Sequence, residues 1–145
     1  MSFLAAATHW VEQQQHIILK QGRLLTAEEQ QLATIVGVMN PARVYLYEVP
    51  TILRPEEPEL AALCEQFGFL TQDTIGLTLG YGIYIKQGYF STRLLSHELR
   101  HVQQYELAGS AEAFLSRYIA EIMQFGYVNA PYEIDARAHE MESLL

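Results

Sequence analysis

The amino-acid sequence predicts an α+β fold in which a short, mostly antiparallel sheet comes from the middle of the chain and helices come from both ends. Two observations support this class. Apolar residues recur at helical spacing in the N-terminal third and again in the C-terminal third. Segments rich in β-branched and aromatic residues, bounded by Pro and Gly, lie between them. Because the strand segments are grouped in the middle, the order of elements favours α+β.

The N-terminal third is predicted to form two helices. Apolar residues at helical spacing indicate a first helix that Gly22 ends. Thr26 and Glu29 have the spacing of a capping box, so a second helix is expected over Ala27–Met39. Asn40–Pro41 ends this helix, because the residue before a proline is displaced from the helical region.

The middle of the chain is predicted to supply the sheet. Arg43–Val49 is β-branched and aromatic and lies between prolines, which is typical of a strand. A proline-rich segment then leads into a short helix that ends at Gly68. Thr74–Lys86 is expected to form one or two strands, interrupted by Gly80 and Gly82.

Three further helices are predicted in the C-terminal third. A cap at Ser91–Thr92 begins a helix that extends to about Ala108. Apolar spacing and a serine cap predict the next helix within Ser110–Gly126. The last helix is expected over Pro131–Glu140, because proline is favoured as the first helical residue.

Composition predicts one domain over residues 1–145. The chain has 9 Lys+Arg against 17 Asp+Glu, a formal net charge of −8. Half of the residues are hydrophobic and 18% are charged, which excludes a disordered acidic tail. A chain this acidic lacks the basic stripe that nucleic acids require as partners. The single cysteine, Cys64, excludes a disulfide framework and a Cys-rich zinc finger.

The sequence also predicts a cytoplasmic protein without a membrane partner. The N-terminal residues lack the basic segment of a secretory signal. The longest apolar run without a charge, around Leu32–Met39, is far shorter than the ~20 residues that span a bilayer.

One motif indicates chemistry. The segment His97-Glu98-Leu99-Arg100-His101 matches the pattern H-E-x-x-H and falls inside a predicted capped helix. At about 100° per residue, the two histidines lie on one helix face, one turn apart. Two imidazoles in this arrangement can share one tetrahedral zinc ion. Glu98 would lie beside them, where its carboxylate can take a proton from zinc-bound water.

A catalytic zinc ion needs a third protein ligand and one open position. Glu133 is the strongest candidate, because it falls in the first turn of the predicted last helix. One helix is predicted between the H-E-x-x-H helix and the helix with Glu133, which is about the length the chain needs to leave the site and return to it. Asp135 and His139 are the alternative ligands.

These residues resemble the zincin metallopeptidases, and in particular the gluzincin branch, in which H-E-x-x-H is followed by a glutamate ligand on a later helix. The segment Glu133-Ile-Asp135-Ala136 is similar to the second motif of that branch, and the resemblance extends from about Leu77 to Glu140. It implies a small zincin-like domain that hydrolyses peptide bonds of a peptide or protein substrate. The implied zinc ligands and general base are the residues already singled out: His97, His101 and Glu133 as ligands, and Glu98 as the base.

The resemblance also implies how a substrate is held. An edge strand just before the active helix would align it, and three residues occupy that place: Gly82, Ile83 and Tyr84. The side chain that stabilises the transition state is expected among three residues: Tyr127, Tyr132 and His139, with Tyr132 and His139 taken as the main candidates.

The sequence departs from the family pattern at one position. Many gluzincins carry an aspartate four residues after the ligand glutamate, where it bonds a zinc histidine. Arg137 occupies that position, so another residue must fix the histidine, and Asp135 is one such residue. Two other classes stay open: a zinc-stabilised interaction or scaffold module without catalysis, and a metal-free helical interaction domain.

Overall fold

The computed structural model describes residues 2–144 and confirms the α+β class, with helices at both ends of the chain. The described residues form six α-helices and four strands in this order: α1 (Phe3–Gln21), β1 (Arg23–Leu24), α2 (Ala27–Val36), β2 (Tyr45–Val49), α3 (Pro58–Phe67), β3 (Gly76–Leu79), β4 (Gly82–Lys86), α4 (Thr92–Ala108), α5 (Ala111–Phe125) and α6 (Pro131–Ala138). Among residues 2–144, no helix combines the length and the apolar character needed to cross a bilayer.

The second helix shows both the strength and the limit of the sequence signals. The predicted capping box is present, because Thr26 accepts a hydrogen bond from the Glu29 N–H and Glu29 accepts one from the Thr26 N–H. The helix nevertheless ends at Val36 rather than at Met39. Gly37 adopts a left-handed conformation with φ 111°, which glycine tolerates and which ends the helix before the proline is reached.

The four strands form one mixed sheet in the order β1-β2-β4-β3. The β2–β4 pairing is parallel, and the β1–β2 and β3–β4 pairings are antiparallel. The sheet is therefore mostly antiparallel, as predicted. The two-residue strand β1 was not predicted, because two residues are too few to show an alternating pattern.

The expected edge strand at Gly82, Ile83 and Tyr84 is wrong. These residues belong to β4, which pairs with β2 on one side and with β3 on the other, and all three are buried. Their backbone groups are committed to the two neighbouring strands, so no substrate can add there. Within the described residues, the strand at the edge beside the H-E-x-x-H helix is β3.

Apolar side chains cover both faces of the sheet. On one face, Ile83 and Ile85 pack with buried residues of α2 and α4. On the other face, Tyr84 packs with residues of α1 and α5. This alternation along β4 is the ordinary result of the two-residue repeat of a strand. The helix α4 is thus fixed against the sheet by its apolar side, where Leu99 is fully buried.

Candidate metal centre

The helix α4 presents the H-E-x-x-H residues on one side and its apolar residues on the other. Ser91 caps this helix by accepting a hydrogen bond from the Leu94 N–H at 3.0 Å. His97 and His101 follow one turn apart, with ring centroids separated by 5.0 Å. His101 is buried, and His97 keeps 13% of its side chain exposed.

The helix α6 brings Glu133 against these histidines. Nε2 of His97 lies 3.2 Å from one carboxylate oxygen of Glu133, and Nε2 of His101 lies 3.2 Å from the other. One donor atom from each of the three residues lies within 4.8 Å of the other two. The structure therefore brings together the three residues that the sequence singled out as ligands, and this group can hold a metal ion. Asp135 and His139, the alternative ligands, are not part of it.

The donor chemistry of the group fits a metal cation. Two imidazole nitrogens and a carboxylate oxygen are ligands that zinc takes in proteins. The two 3.2 Å separations end on different oxygens of Glu133, Oε1 for His97 and Oε2 for His101. They are longer than the 2.7–2.9 Å that is usual for a charge-assisted hydrogen bond between a histidine and a carboxylate. With one donor atom from each residue within 4.8 Å of the others, the group can close around an ion.

Hydrogen bonds on the far side of each ring leave Nε2 available as a ligand. Nδ1 of His97 lies 2.8 Å from Oε2 of Glu140, and Nδ1 of His101 lies 2.7 Å from Oε1 of Gln104. A carboxylate only accepts, so His97 carries its proton on Nδ1. Partners of this kind orient metal-binding histidines and increase their basicity.

The orientation of the Gln104 amide is determined by its other partners. Its Nε2 donates to the carbonyl oxygen of Tyr132 and to Oδ2 of Asp135, both at 2.9 Å. Both partners are acceptors, so the amide oxygen must face His101. Asp135 is held in turn by Arg100, whose Nε donates to Oδ2 at 2.8 Å. Asp135 therefore supports a histidine through Gln104 and not by direct contact.

Sequence reasoning missed both residues that bond the histidines. Arg137, at the position of the family aspartate, donates instead to the carbonyl oxygen of Val128. The signal for Gln104 was available, because it lies three residues after His101 on the same helix. Glu140 gave no such signal, since α6 ends at Ala138 and Glu140 lies beyond its end.

Glu98 lies beside the group and lines the same cavity. It is only 5% exposed, and Oγ1 of Thr78 lies 2.8 Å from its Oε1. The other oxygen, Oε2, faces β3 at Gly76, where a Cβ would lie 3.0 Å away. A glycine at this strand position therefore gives the carboxylate its room.

The charges of the group stabilise one another. Burial opposes the charge on Glu133, but His101, His97 and the Tyr118 hydroxyl outweigh it and hold the Glu133 pKa far below its usual value. Burial likewise opposes protonation of His101, but the Glu133 carboxylate raises the pKa of His101 from 6.5 to about 9. Without a metal ion, the proton on His101 balances the charge of the carboxylate.

A tyrosine that the sequence did not single out also contacts the group. The Tyr118 hydroxyl donates to Oε2 of Glu133 at 2.6 Å. Burial, followed by the charge of Glu133, raises the pKa of Tyr118 well above its usual value, so it remains a donor. Its position on the apolar face of α5 is typical of a core residue, which is why sequence reasoning treated it as one.

Tyr132 and His139, which the sequence suggested as transition-state stabilisers, lie outside the lining of the cavity. The Tyr132 ring packs on Phe114, with centroids 4.9 Å apart, and beneath the Arg117 guanidinium at 4.4 Å. His139 bonds the carbonyl oxygen of Asp135 at 2.8 Å through its Nδ1. Neither side chain lines the cavity at the metal-binding group, whereas Tyr127 does.

The cavity beside the metal-binding group has a volume of about 660 Å³. Its wall includes all three potential ligands, Glu98 and the strand β3.

Comparisons of the chain with protein-family models, with curated proteins and with solved structures give no match.

Proposed function

We propose that this chain is a zinc-dependent metallopeptidase in which Glu98 is the general base. One observation carries the proposal: the Nε2 atoms of His97 and His101 and the carboxylate of Glu133 converge, and Glu98 lies beside them in the same cavity. Two imidazoles and one carboxylate are a donor set of catalytic zinc sites. A structural zinc site usually has four protein ligands, and three leave one position for water or substrate.

A bound zinc ion supplies Lewis acidity, which lowers the pKa of water towards 7 and polarises a carbonyl group. The residues of the chain provide the proton transfers. Glu98 takes the proton of the attacking water and later delivers it to the departing amine nitrogen. The contact of Thr78 with Oε1 leaves Oε2 of this carboxylate for the transfer.

Tyr127 is the residue that we assign to the developing negative charge on the carbonyl oxygen. It lines the cavity, and burial followed by the charges of Glu133 and Glu98 raises its pKa, so that it stays protonated. A protonated phenol aimed at an oxyanion stabilises the transition state more than the ground state.

The edge strand β3 is the place where an extended substrate backbone can bind. All four of its residues line the cavity, and β4 covers one of its two edges. A peptide that adds to the other edge gains main-chain hydrogen bonds that are largely independent of sequence. The proposed binding edge is therefore that of β3, whereas the sequence had indicated the strand that the structure shows to be β4.

The variant Glu98→Gln tests the proposal. We expect it to keep stoichiometric zinc and the wild-type melting temperature but to lose hydrolysis of a quenched fluorescent peptide library by roughly 10²–10⁴-fold. Glu112→Gln, an exposed position on α5, is the control and should retain full activity. Undiminished hydrolysis in Glu98→Gln contradicts the proposed base. A zinc-loaded wild-type protein without any hydrolysis contradicts the peptidase and favours the non-catalytic module.

A further inference from the structure

The cavity beside the metal-binding group is much larger than one amino-acid side chain. Its volume is about 660 Å³, whereas an engineered apolar cavity of about 150 Å³ already holds benzene. It lies within the range of about 300–1,000 Å³ that is usual for pockets enclosing a whole small-molecule ligand. One aromatic or aliphatic side chain of a peptide would therefore leave most of the space unfilled.

The lining of this cavity is divided by polarity. The acidic and histidine side chains in its wall come from α4, from Glu133 on α6, from Glu140 just beyond the end of α6, and from Asp73 in the segment before β3. The helices α1 and α3, and the part of α5 away from Tyr118, contribute apolar side chains, among them Phe3, Trp10, Leu60, Leu63, Leu115 and Ile122. A ligand that fills the cavity must thus be apolar along most of its length and polar at one end.

A peptide backbone does not meet this requirement in the apolar part of the cavity, although it can bind along β3. The backbone N–H and C=O groups of α1, α3 and α5 are bonded within their own helices, so this part of the wall offers no partners to a peptide backbone. A buried amide without partners costs free energy comparable to a lost hydrogen bond. A linear hydrocarbon chain has no such groups and gains from every methylene that it buries.

We propose that the cavity binds the linear acyl chain of an N-acyl amide, with the carbonyl group at the metal-binding residues. The reaction rests on the proposed function, whereas binding of the chain does not. The oxygen of water forms a bond to the carbonyl carbon, and the bond from this carbon to nitrogen breaks. The proton that Glu98 takes from the water goes to the departing nitrogen, and the second proton of the water stays with the acyl product. The products are therefore an amine and a fatty carboxylic acid, which ionises at neutral pH. The amine portion would extend along β3, where backbone groups are available.

Calorimetric titration of the zinc-loaded protein with fatty acids of increasing length tests the binding. We expect affinity to rise by up to about fourfold per methylene from butanoate through octanoate to dodecanoate. The heat-capacity change on binding should become more negative along the series, since more apolar surface is buried. Equal affinity for all three acids overturns the proposal.

Two variants on α5 localise the site. Ile119 lines the cavity, and Ile119→Trp should fill part of it and reduce dodecanoate affinity by at least tenfold while leaving butanoate affinity unchanged. Met123, one turn further along, is 60% exposed and does not line the cavity, so Met123→Trp should bind dodecanoate as the wild type does. Wild-type dodecanoate affinity in a folded Ile119→Trp protein overturns the proposal.

Cys64 gives a readout that needs no substitution. It is the single cysteine of the chain, it is buried, and it lines the cavity on the α3 side. Dodecanoate should slow its reaction with an alkyl methanethiosulfonate, and butanoate should not. Labelling at the same rate with and without dodecanoate contradicts occupation of the cavity.

The two proposals fail in different ways. Length-dependent binding and Cys64 protection without any amide hydrolysis would overturn the peptidase but keep the acyl-chain site. Conversely, hydrolysis that requires Glu98 but is equally fast for butanoyl and dodecanoyl amides, without length-dependent binding, would keep the hydrolase and overturn the acyl-chain site.

Discussion

Oε2 of Glu140 lies 2.8 Å from Nδ1 of His97, on the side of the ring away from Glu133. Glu140 is itself held by Arg93, whose Nε donates to Oε1 at 2.8 Å. Through this contact, a residue beyond the end of the last helix fixes the orientation of a potential ligand on α4.

Loss of the Glu140 carboxylate should weaken metal binding without removing a ligand. We expect Glu140→Ala to bind zinc about 10–100-fold more weakly than the wild type, as is usual when the partner of a metal-binding histidine is removed. Competition with a chromophoric chelator measures the affinity. Glu142→Ala, an exposed neighbour, should bind as the wild type does. Equal affinities of the two variants would contradict the role of Glu140.

Gln104 supports His101, and its loss should reduce folding stability more than the loss of Glu140 does. Gln104→Ala removes the acceptor of His101 and leaves the Tyr132 carbonyl and Asp135 without this donor. We expect metal binding to weaken and the free energy of unfolding to fall by about 1–3 kcal/mol. Denaturant titration measures the second effect. Gln103→Ala on the same helix is the control, and a loss of stability as large as that of Gln104→Ala would contradict the argument.

Zinc should stabilise the folded protein strongly. A ligand that binds only the native state adds about 4.1 kcal/mol at a concentration of 1,000 times its Kd. For a chain of this size, that corresponds to a rise of about 8–16 °C in Tm. Thermal melts with and without a chelator measure the shift. His97→Ala should lose most of it, and an unchanged shift in this variant would place the metal elsewhere.

Metal affinity and metal-free stability should depend on pH in opposite directions. Burial disfavours the charged imidazole of His101, but Glu133 outweighs burial and raises the pKa from 6.5 to about 9. Binding of a metal ion must displace this proton, so zinc affinity should rise with pH up to about 9. The raised pKa stabilises the metal-free fold fully below pH 6.5, and this contribution is lost as pH rises through about 9. Chelator competition and denaturant titration from pH 6 to 9 measure the two trends, and parallel trends would contradict the coupling.

The positions of the potential ligands were predictable because they depend on local rules. The one-turn spacing places His97 and His101 on one helix face, and Pro131 fixes the start of the helix that carries Glu133. Apolar residues on the opposite side of α4 also indicated which face would be buried. Local periodicity thus defined which side of α4 packs against the sheet.

The place of β4 in the sheet was not predictable in this way. Its sequence is compatible with an edge or a central position, since either side of a strand offers the same backbone groups. The parallel crossover from β2 to β4, with α3 and β3 between them in the chain, decides the strand order. The Tyr118 contact with Glu133 likewise depends on how α5 and α6 pack, which the periodicity of α5 alone does not determine.

Gly76 offers the sharpest test of the link between the edge strand and the proposed base. A Cβ at this position would lie 3.0 Å from Oε2 of Glu98 and 3.0 Å from Cδ1 of Leu94, and its backbone is not left-handed. Gly76→Ala should therefore keep the fold and the zinc, because none of the three potential ligands is disturbed, while the carboxylate of Glu98 must move. A displacement of the order of 1 Å at a reacting group can cost about 10²-fold in rate, so kcat should fall by up to that factor with little change in zinc affinity. Hydrolysis at the wild-type rate would show that the proton transfer does not depend on this oxygen, and a parallel loss of zinc would show that the strand supports the ligands instead.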